Sequence, residues 1–67
     1  MARASGGLTA LHLAAGSGHT RVAELLLEKG AEVNAREAYH DSTPLGWAEF
    51  HGYKETASFL ENRGGHP

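Results

Sequence analysis

Cysteine is absent from the 67-residue sequence, which excludes disulfide bonds and a zinc site built on thiolates. Long apolar runs are absent too: the longest, residues 25–27, is far shorter than the roughly 20 residues that span a bilayer. Basic residues are in no excess, because six Lys and Arg are set against eight Asp and Glu. We therefore expect a soluble protein that binds neither a membrane nor nucleic acid. The lack of cysteine is also compatible with an intracellular location, cytoplasmic or nuclear.

The short length leaves little room for a hydrophobic core. At about 60 residues, folding buries only about 60% of the surface that the unfolded chain exposes. Natural proteins of this size usually add disulfides, a metal or partner subunits. Because disulfides are excluded, the chain must depend on a compact core of its own or on surface that it shares with neighbours.

The sequence repeats itself after 34 residues, which predicts two copies of one structural unit. Seven pairs of identical residues align at this distance: Thr9 with Thr43, Leu11 with Leu45, Ala14 with Ala48, Gly18 with Gly52, Ala23 with Ala57, Leu26 with Leu60 and Gly30 with Gly64. They fall at predicted helix starts, at glycine breaks and on apolar faces.

The first copy predicts two helices joined by a glycine turn. Thr9 can cap a helix from about Ala10 to Gly16, and a second helix is predicted from about Thr20 to Lys29. The apolar spacing of the second helix predicts a buried face at Val22, Ala23, Leu25 and Leu26.

The second copy predicts the same arrangement. Thr43 is expected to cap a helix that has Pro44 at its first position and ends at about residue 52. A last helix is predicted from about Lys54 to Arg63, with Ala57, Phe59 and Leu60 facing inward. Between the copies, the polar residues 31–42 predict an extended arm with a turn at its tip, in the manner of a loose hairpin.

These segments resemble ankyrin repeats. The first copy matches the family almost position by position, in GLTALHLAA at residues 7–15 and GAEVNA at residues 30–35, and the second copy is similar but degraded, with TPLGWA at residues 43–48. The resemblance implies an all-α solenoid of helix-turn-helix pairs joined by extended, hairpin-like arms. We expect a flexible leader at residues 1–7, a first repeat with its arm at 8–41, a cap-like second repeat at 42–64 and a tail at 65–67.

The second copy departs from the family pattern in ways that suggest a C-terminal cap. Glu49 and Glu61 stand where the first copy has Ala15 and Leu27, and a terminal repeat needs a polar outer face. Gly46 replaces the usual histidine, and the arm has one extra residue. The first copy has no matching polar residues on its outer side, so it resembles an internal repeat without its upstream neighbour. Its upstream face is expected to be open, so that two chains could form a homodimer there. This face comprises Leu13, Ala14 and Val22.

The resemblance implies a function in protein–protein interaction, with arm tips and inner helices contacting the partner. The candidate partner-binding residues are Tyr39, His40, Trp47, Phe50 and His51. Packing between repeats is the alternative role for Trp47 and Phe50, and it is the role predicted for Phe59. The alternative function is structural: the C-terminal end of a longer array, or an engineered array of few repeats, that self-associates through its open face.

Catalysis and cofactor binding are not expected. The sequence has no cysteine nucleophile, no Gly-x-Ser-x-Gly elbow and no phosphate-binding loop. Its five histidines include no i, i+4 pair, so no metal site is predicted, and His12 is assigned to a hydrogen bond with Thr9. A metal-linked assembly through His40, His51 or His66 stays an alternative. For Asn34, the resemblance leaves hydroxylation or a bond to the backbone of the arm.

Overall fold

The computed structural model describes residues 9–67, and the leader predicted at residues 1–7 lies outside the described residues. Four helices follow one another: α1 (Ala10–Gly16), α2 (Thr20–Glu28), α3 (Pro44–Phe50) and α4 (Lys54–Asn62). Residues 9–67 contain no strand, so the prediction of an all-α chain of two helix pairs is confirmed. Each observed helix ends within two residues of its predicted end. None of the four has the length and apolar character needed to cross a membrane.

A threonine caps the N-terminus of the first helix in each pair, as predicted. The Thr9 hydroxyl accepts a hydrogen bond from the His12 N–H at 3.3 Å, and His12 Nδ1 accepts one from the Thr9 N–H at 3.2 Å. The Thr43 hydroxyl accepts from the Gly46 N–H at 3.2 Å. These bonds satisfy backbone donors that the first turn of a helix leaves unpaired. The hydrogen bond predicted between Thr9 and His12 is therefore confirmed.

The core lies between the two helix pairs. Helix α1 packs against both α2 and α3, and α3 packs in turn against α4. The buried apolar side chains of these helices are Leu11, Ala14, Ala15, Ala23, Leu45, Ala48, Ala57 and Leu60. Phe59 is half-buried and packs against this cluster, which agrees with its predicted role. The small alanines allow close approach of the helices, and three leucines supply most of the apolar volume.

The predicted inner face of α2 is only half correct. Ala23 is buried and Leu26 packs against the core, but Val22 and Leu25 are 47% and 41% exposed. Both stand on the upstream side of α2, where no described element covers them. The positions 34 residues later do have a cover, since Thr56 is buried and Phe59 is half-buried in α4. Corresponding positions of α2 and α4 therefore differ in burial, because a neighbouring element covers those of α4 and no described element covers those of α2.

The predicted outer faces of the two repeats are partly confirmed. Glu49 and Glu61 are exposed on the downstream side, beside a shallow depression that Lys54 also lines. Leu13 is 52% exposed on the upstream side, as expected. The prediction for Ala14 is wrong, because this residue is only 5% exposed and belongs to the core cluster.

Hydrogen bonds between side chains and distant backbone join the two repeats. His12 Nε2 lies 2.8 Å from the Ser42 carbonyl oxygen and donates to it, because its Nδ1 accepts from the Thr9 N–H. The hydroxyls of Thr20 and Thr56 lie 2.7 Å apart across the repeat boundary. The histidine thus satisfies groups in both repeats from one buried ring.

The prediction that Asn34 bonds the backbone of its own arm is wrong, because its side chain contacts the segment after α4. Its amide donates to the Gly64 carbonyl at 3.0 Å and accepts from the His66 N–H at 2.8 Å. The Thr43 hydroxyl also donates to the His66 carbonyl. The residues predicted as a tail are therefore held against the arm and the start of α3.

Candidate partner-binding surface

A backbone hydrogen bond and an ion pair close the tip of the arm. The Glu37 N–H donates to the Ser42 carbonyl at 3.2 Å, and residues 38–40 form the turn between them. Arg36 Nη1 lies 3.1 Å from Asp41 Oδ2 and donates to the Asp41 carbonyl at the same distance. Asp41 has a φ of 52°, which an aspartate tolerates better than most residues. The arm is thus a hairpin-like turn without a β-ladder.

The carboxylate of Glu37 holds this turn from inside. Glu37 is 1% exposed. Its oxygens accept from the backbone N–H of Tyr39 at 2.6 Å and of His40 at 3.0 Å. They also accept from His40 Nδ1 at 3.1 Å and from Trp47 Nε1 at 3.4 Å. One buried side chain therefore connects the arm tip to α3.

Hydrogen bonding decides the charge state of this carboxyl group. Burial by itself would raise the pKa of Glu37, but the hydrogen bonds that it accepts favour the ionised form. The backbone N–H groups of His40 and Tyr39 contribute most, followed by the Trp47 and His40 side chains. Together they lower the pKa of Glu37 from its ordinary value of 4.5 to about 2.

The role of Glu37 was not predicted from the sequence. The signal that could have indicated one is an acidic residue at the entrance of a tight turn, where a carboxylate can accept from the backbone N–H groups that follow it. The contact with Trp47 had no such signal, because ten residues separate the two positions.

Trp47 takes the packing role that was its alternative. A Cβ atom at Gly16 would stand 2.9 Å from Trp47 Cε3, so the indole lies directly on the backbone of α1. Its ring also has edge contacts with His12, at a centroid distance of 5.7 Å, and with His40, at 6.2 Å. His51 lies 6.2 Å away in a tilted arrangement. The tryptophan is half-buried, so part of its ring is still accessible.

Phe50 is the opposite case. Its side chain is 85% exposed, and its ring makes an edge contact with His51, at a centroid distance of 5.1 Å. Packing between repeats is therefore wrong as a role for Phe50. An exposed phenylalanine contributes little to the stability of an isolated chain, because its apolar surface stays in water.

Four of the five candidate residues surround one open pocket of about 260 Å³. The residues that line it, which we name the tip pocket, are His40, Ser42, Gly46, Trp47, Phe50 and His51. Tyr39 does not line the pocket; it is 68% exposed on the same turn. We refer to the five candidates together, including Tyr39, as the tip surface. The absence of a side chain at Gly46, where the family usually has histidine, contributes to this opening.

Among the described residues that line the tip pocket there is no carboxylate, lysine or arginine, and the two imidazoles are its titratable groups. This lining of the tip pocket suits ligand binding more than catalysis. Within residues 9–67, no three histidine, aspartate or glutamate side chains are placed to hold a metal ion.

A family model for "Ankyrin repeats (3 copies)" matches residues 2–66 of the chain. The chain belongs to the ankyrin-repeat family. Ankyrin repeats are generally protein-interaction modules, and the family is generally non-enzymatic. This membership agrees with the helix pairs, threonine caps and inter-repeat contacts described above.

Similar proteins come from animals, plants and a bacterium. The chain is 41% identical over 58 residues to Ankyrin repeat and SAM domain-containing protein 6 of Mus musculus, a match that covers 87% of the chain and 7% of that protein. It is 44% identical over 59 residues to Ankyrin repeat and KH domain-containing protein mask-1 of Caenorhabditis elegans, covering 88% and 2%. It is 48% identical over 56 residues to Probable E3 ubiquitin-protein ligase XBOS33 of Oryza sativa subsp. japonica, covering 82% and 11%. The chain therefore spans a small part of these relatives.

Proposed function

We propose that this chain binds a protein partner through the tip surface and has no catalytic activity of its own. The observation that supports the proposal most is Phe50, whose ring is 85% exposed beside the tip pocket. Exposed aromatic side chains next to a pocket are typical anchors of protein interfaces. Trp47 fits the same role differently, because its buried edge fixes the ring while its accessible part lines the pocket.

Glu37 gives this surface a fixed shape before a partner binds. Binding loses less entropy when the contact residues are already ordered, so a preorganised surface raises affinity. The carboxylate orders the tip backbone at Tyr39 and His40 and contacts the indole of Trp47. The tip surface therefore combines a rigid base with one exposed anchor.

The test is selection of binding peptides from a random library, followed by affinity measurements with variants. Phe50→Ala should weaken binding of the selected peptides about thirtyfold or more, since anchor residues contribute about 2 kcal/mol or more. Its melting temperature should stay unchanged, because the ring is exposed. Ser58→Ala, an exposed position on α4, is the matched control. Equal affinities for wild type and Phe50→Ala would contradict the proposal.

Self-association through the upstream face is a second candidate function. Leu13, Val22 and Leu25 are each more than 40% exposed there, on adjacent helices, and carry no charge. Contiguous exposed apolar side chains favour association. A homodimer formed this way should appear in sedimentation velocity as concentration rises, and Leu25→Glu should abolish it. A monomer at every concentration would exclude this second function without affecting the first.

A further inference from the structure

We propose that the tip pocket binds an arginine side chain of the partner, and that Glu37 is the positioning residue that sets this preference. The inference rests on the proposed function, because it names the partner's chemistry at the same surface. Three features of the described residues lead to it: the tautomer of His40, the charge that Glu37 retains, and the aromatic walls.

The contact with Glu37 fixes the tautomer of His40. Glu37 Oε1 lies 3.1 Å from His40 Nδ1, and an ionised carboxylate can only accept hydrogen bonds. Nδ1 must therefore carry a proton. In the neutral imidazole, Nε2 is then an acceptor. Because His40 lines the tip pocket and its side chain is 70% exposed, the pocket offers a hydrogen-bond acceptor to its ligand.

With a neutral His40, the negative charge of Glu37 is solvated by hydrogen bonds from uncharged donors and is not neutralised by them. Its donors are two backbone N–H groups, an indole and an imidazole, none of which needs to be a cation. The basic side chain of the arm tip, Arg36, is paired with Asp41 at 3.1 Å. Glu37 itself is buried, where solvent screens its field less than at the surface. The site therefore retains an attraction for a cation.

The aromatic side chains add to this attraction. Trp47 and Phe50 both line the tip pocket, and the faces of aromatic rings attract cations. The indole N–H donates to a carboxylate, which polarises the ring system further. Among cationic side chains, the planar guanidinium of arginine stacks best on such rings and also donates to an acceptor such as His40 Nε2. Its methylene stem can contact the apolar wall.

Other occupants fit less well. A glutamate or aspartate would meet an acceptor nitrogen and an unneutralised negative charge. An aliphatic side chain would bury apolar surface but leave His40 Nε2 without a donor, and an unsatisfied polar group lowers affinity. These occupants are the competing outcomes of the test.

The experiment compares peptides that differ at one central residue, which is arginine, citrulline, norleucine or glutamate. Binding to the unaltered chain is followed by the fluorescence of Trp47, the one tryptophan of the sequence, and by amide chemical shifts. We expect the arginine peptide to bind at least about threefold more tightly than the citrulline peptide, a factor within the range of cation–π interactions. We expect the norleucine and glutamate peptides to bind more weakly still. Equal or tighter binding of any of these three, or no shift at residues 37–51 with the arginine peptide, would overturn the inference.

A pair of variants tests the role of Glu37 separately. Glu37→Gln should reduce the preference for arginine over norleucine, since it removes the negative charge and replaces one of the two acceptor oxygens by an NH₂ donor. Glu49→Gln makes the same change of charge on an exposed residue of α3 outside the pocket, and should preserve the preference. A merely structural role would lower both affinities and leave their ratio unchanged, which would contradict the assignment. If Glu37→Gln fails to fold, the comparison of peptides on the unaltered chain still decides whether the tip pocket prefers arginine.

The outcomes also distinguish this inference from the proposed function. If the norleucine peptide binds as tightly as the arginine peptide and Phe50→Ala weakens both, the inference fails while the tip surface remains a binding site. If Phe50→Ala has no effect on library-selected peptides, the proposed function itself is wrong.

Discussion

At the scale of single residues, two glycines have the same backbone role in different surroundings. Gly18 and Gly52 follow the first helix of each repeat with φ of 74° and 82°. A Cβ at Gly18 would stand 2.7 Å from the Tyr53 ring, whereas nothing lies within 4 Å of a Cβ at Gly52. The first repeat therefore needs glycine both for the positive φ and for the space beside Tyr53, whereas the second needs it for the positive φ alone.

Alanine substitutions should separate these two reasons. Gly52→Ala should lower the free energy of unfolding by about 1 kcal/mol, the cost of a left-handed conformation. Gly18→Ala should lower it by about 2–4 kcal/mol, because displacement of Tyr53 adds to that cost. Urea denaturation of the two variants measures the difference. Equal losses would show that Tyr53 does not rest on Gly18.

Glu37 should make stability depend on pH in the acid range. Its pKa is lower in the folded chain, at about 2, than its ordinary value of 4.5, so the folded state binds its proton less readily than the unfolded state. The stabilisation is fully present above pH 4.5 and is lost as pH falls toward 2. His40 is the titratable side chain that contacts Glu37 within the described part of the chain.

We therefore predict that the melting temperature of the wild type falls more steeply than that of Glu37→Gln between pH 4.5 and pH 2. Thermal unfolding followed by circular dichroism at half-unit pH steps measures both slopes. The exposed carboxylates are common to the two chains and cancel in the comparison. Parallel slopes would mean that the carboxyl group of Glu37 is not held in its ionised form.

Residue roles were predictable where the partners are close in sequence. The bond between Thr9 and His12 follows from a spacing of three residues at a helix start. The contact of Glu37 with Trp47 and the role of Asn34 depend on partners that only folding brings near, ten and about 30 residues away. A single sequence contains no local signal for such contacts.

At the scale of helices, α3 contains a glycine that lowers its stability. Gly46 stands in its first turn, and a Cβ there would have only ordinary contacts, 3.7 Å from Ser42 Cβ and Thr43 Oγ1. Glycine inside a helix is less stable than alanine by roughly 0.5–1 kcal/mol. The position is unusual because the space that it leaves open belongs to the tip pocket.

Gly46→Ala should therefore stabilise the chain by about 0.5–1 kcal/mol. Denaturant unfolding of wild type and variant, with unchanged slopes, measures the gain. Gly16→Ala serves as a contrast, since its Cβ would stand 2.9 Å from Trp47 and should destabilise the chain. A loss of stability in Gly46→Ala would indicate that α3 requires glycine for a reason that its surroundings do not show.

Helix positions could be predicted from the sequence, but not all of their buried faces. Threonine caps, proline and glycine fixed the starts and ends of α1 and α3 locally. Burial of Val22 and Leu25 in α2 depends on whether another element covers them, and the same positions in α4 show how a neighbour changes the outcome. Periodicity identifies an apolar face without saying what lies against it.

At the scale of the whole molecule, the repeats are joined by a few long-range hydrogen bonds besides the apolar core. Asn34 is an example, since its side-chain NH₂ donates to the Gly64 carbonyl and its side-chain oxygen accepts from the His66 N–H. Asn34→Ala should lower the free energy of unfolding by about 1–2 kcal/mol, because each bond contributes about 0.5–1.5 kcal/mol.

Hydrogen exchange can locate this effect. In Asn34→Ala, the His66 amide should exchange faster than in the wild type. The α1 amides should keep the same order of protection among themselves. Asn62→Ala, an exposed position at the end of α4, should leave the His66 amide unchanged. Unchanged exchange at His66 in Asn34→Ala would show that the C-terminal residues are held by other contacts.

One surface, formed by the arm tip and α3, is expected to recognise the partner. Chemical-shift mapping with a peptide selected for binding is the decisive experiment. We expect the largest amide shifts at Tyr39, His40, Trp47, Phe50 and His51. Largest shifts at the upstream residues Leu13, Val22 and Leu25, or near Glu61 on the downstream side, would contradict it.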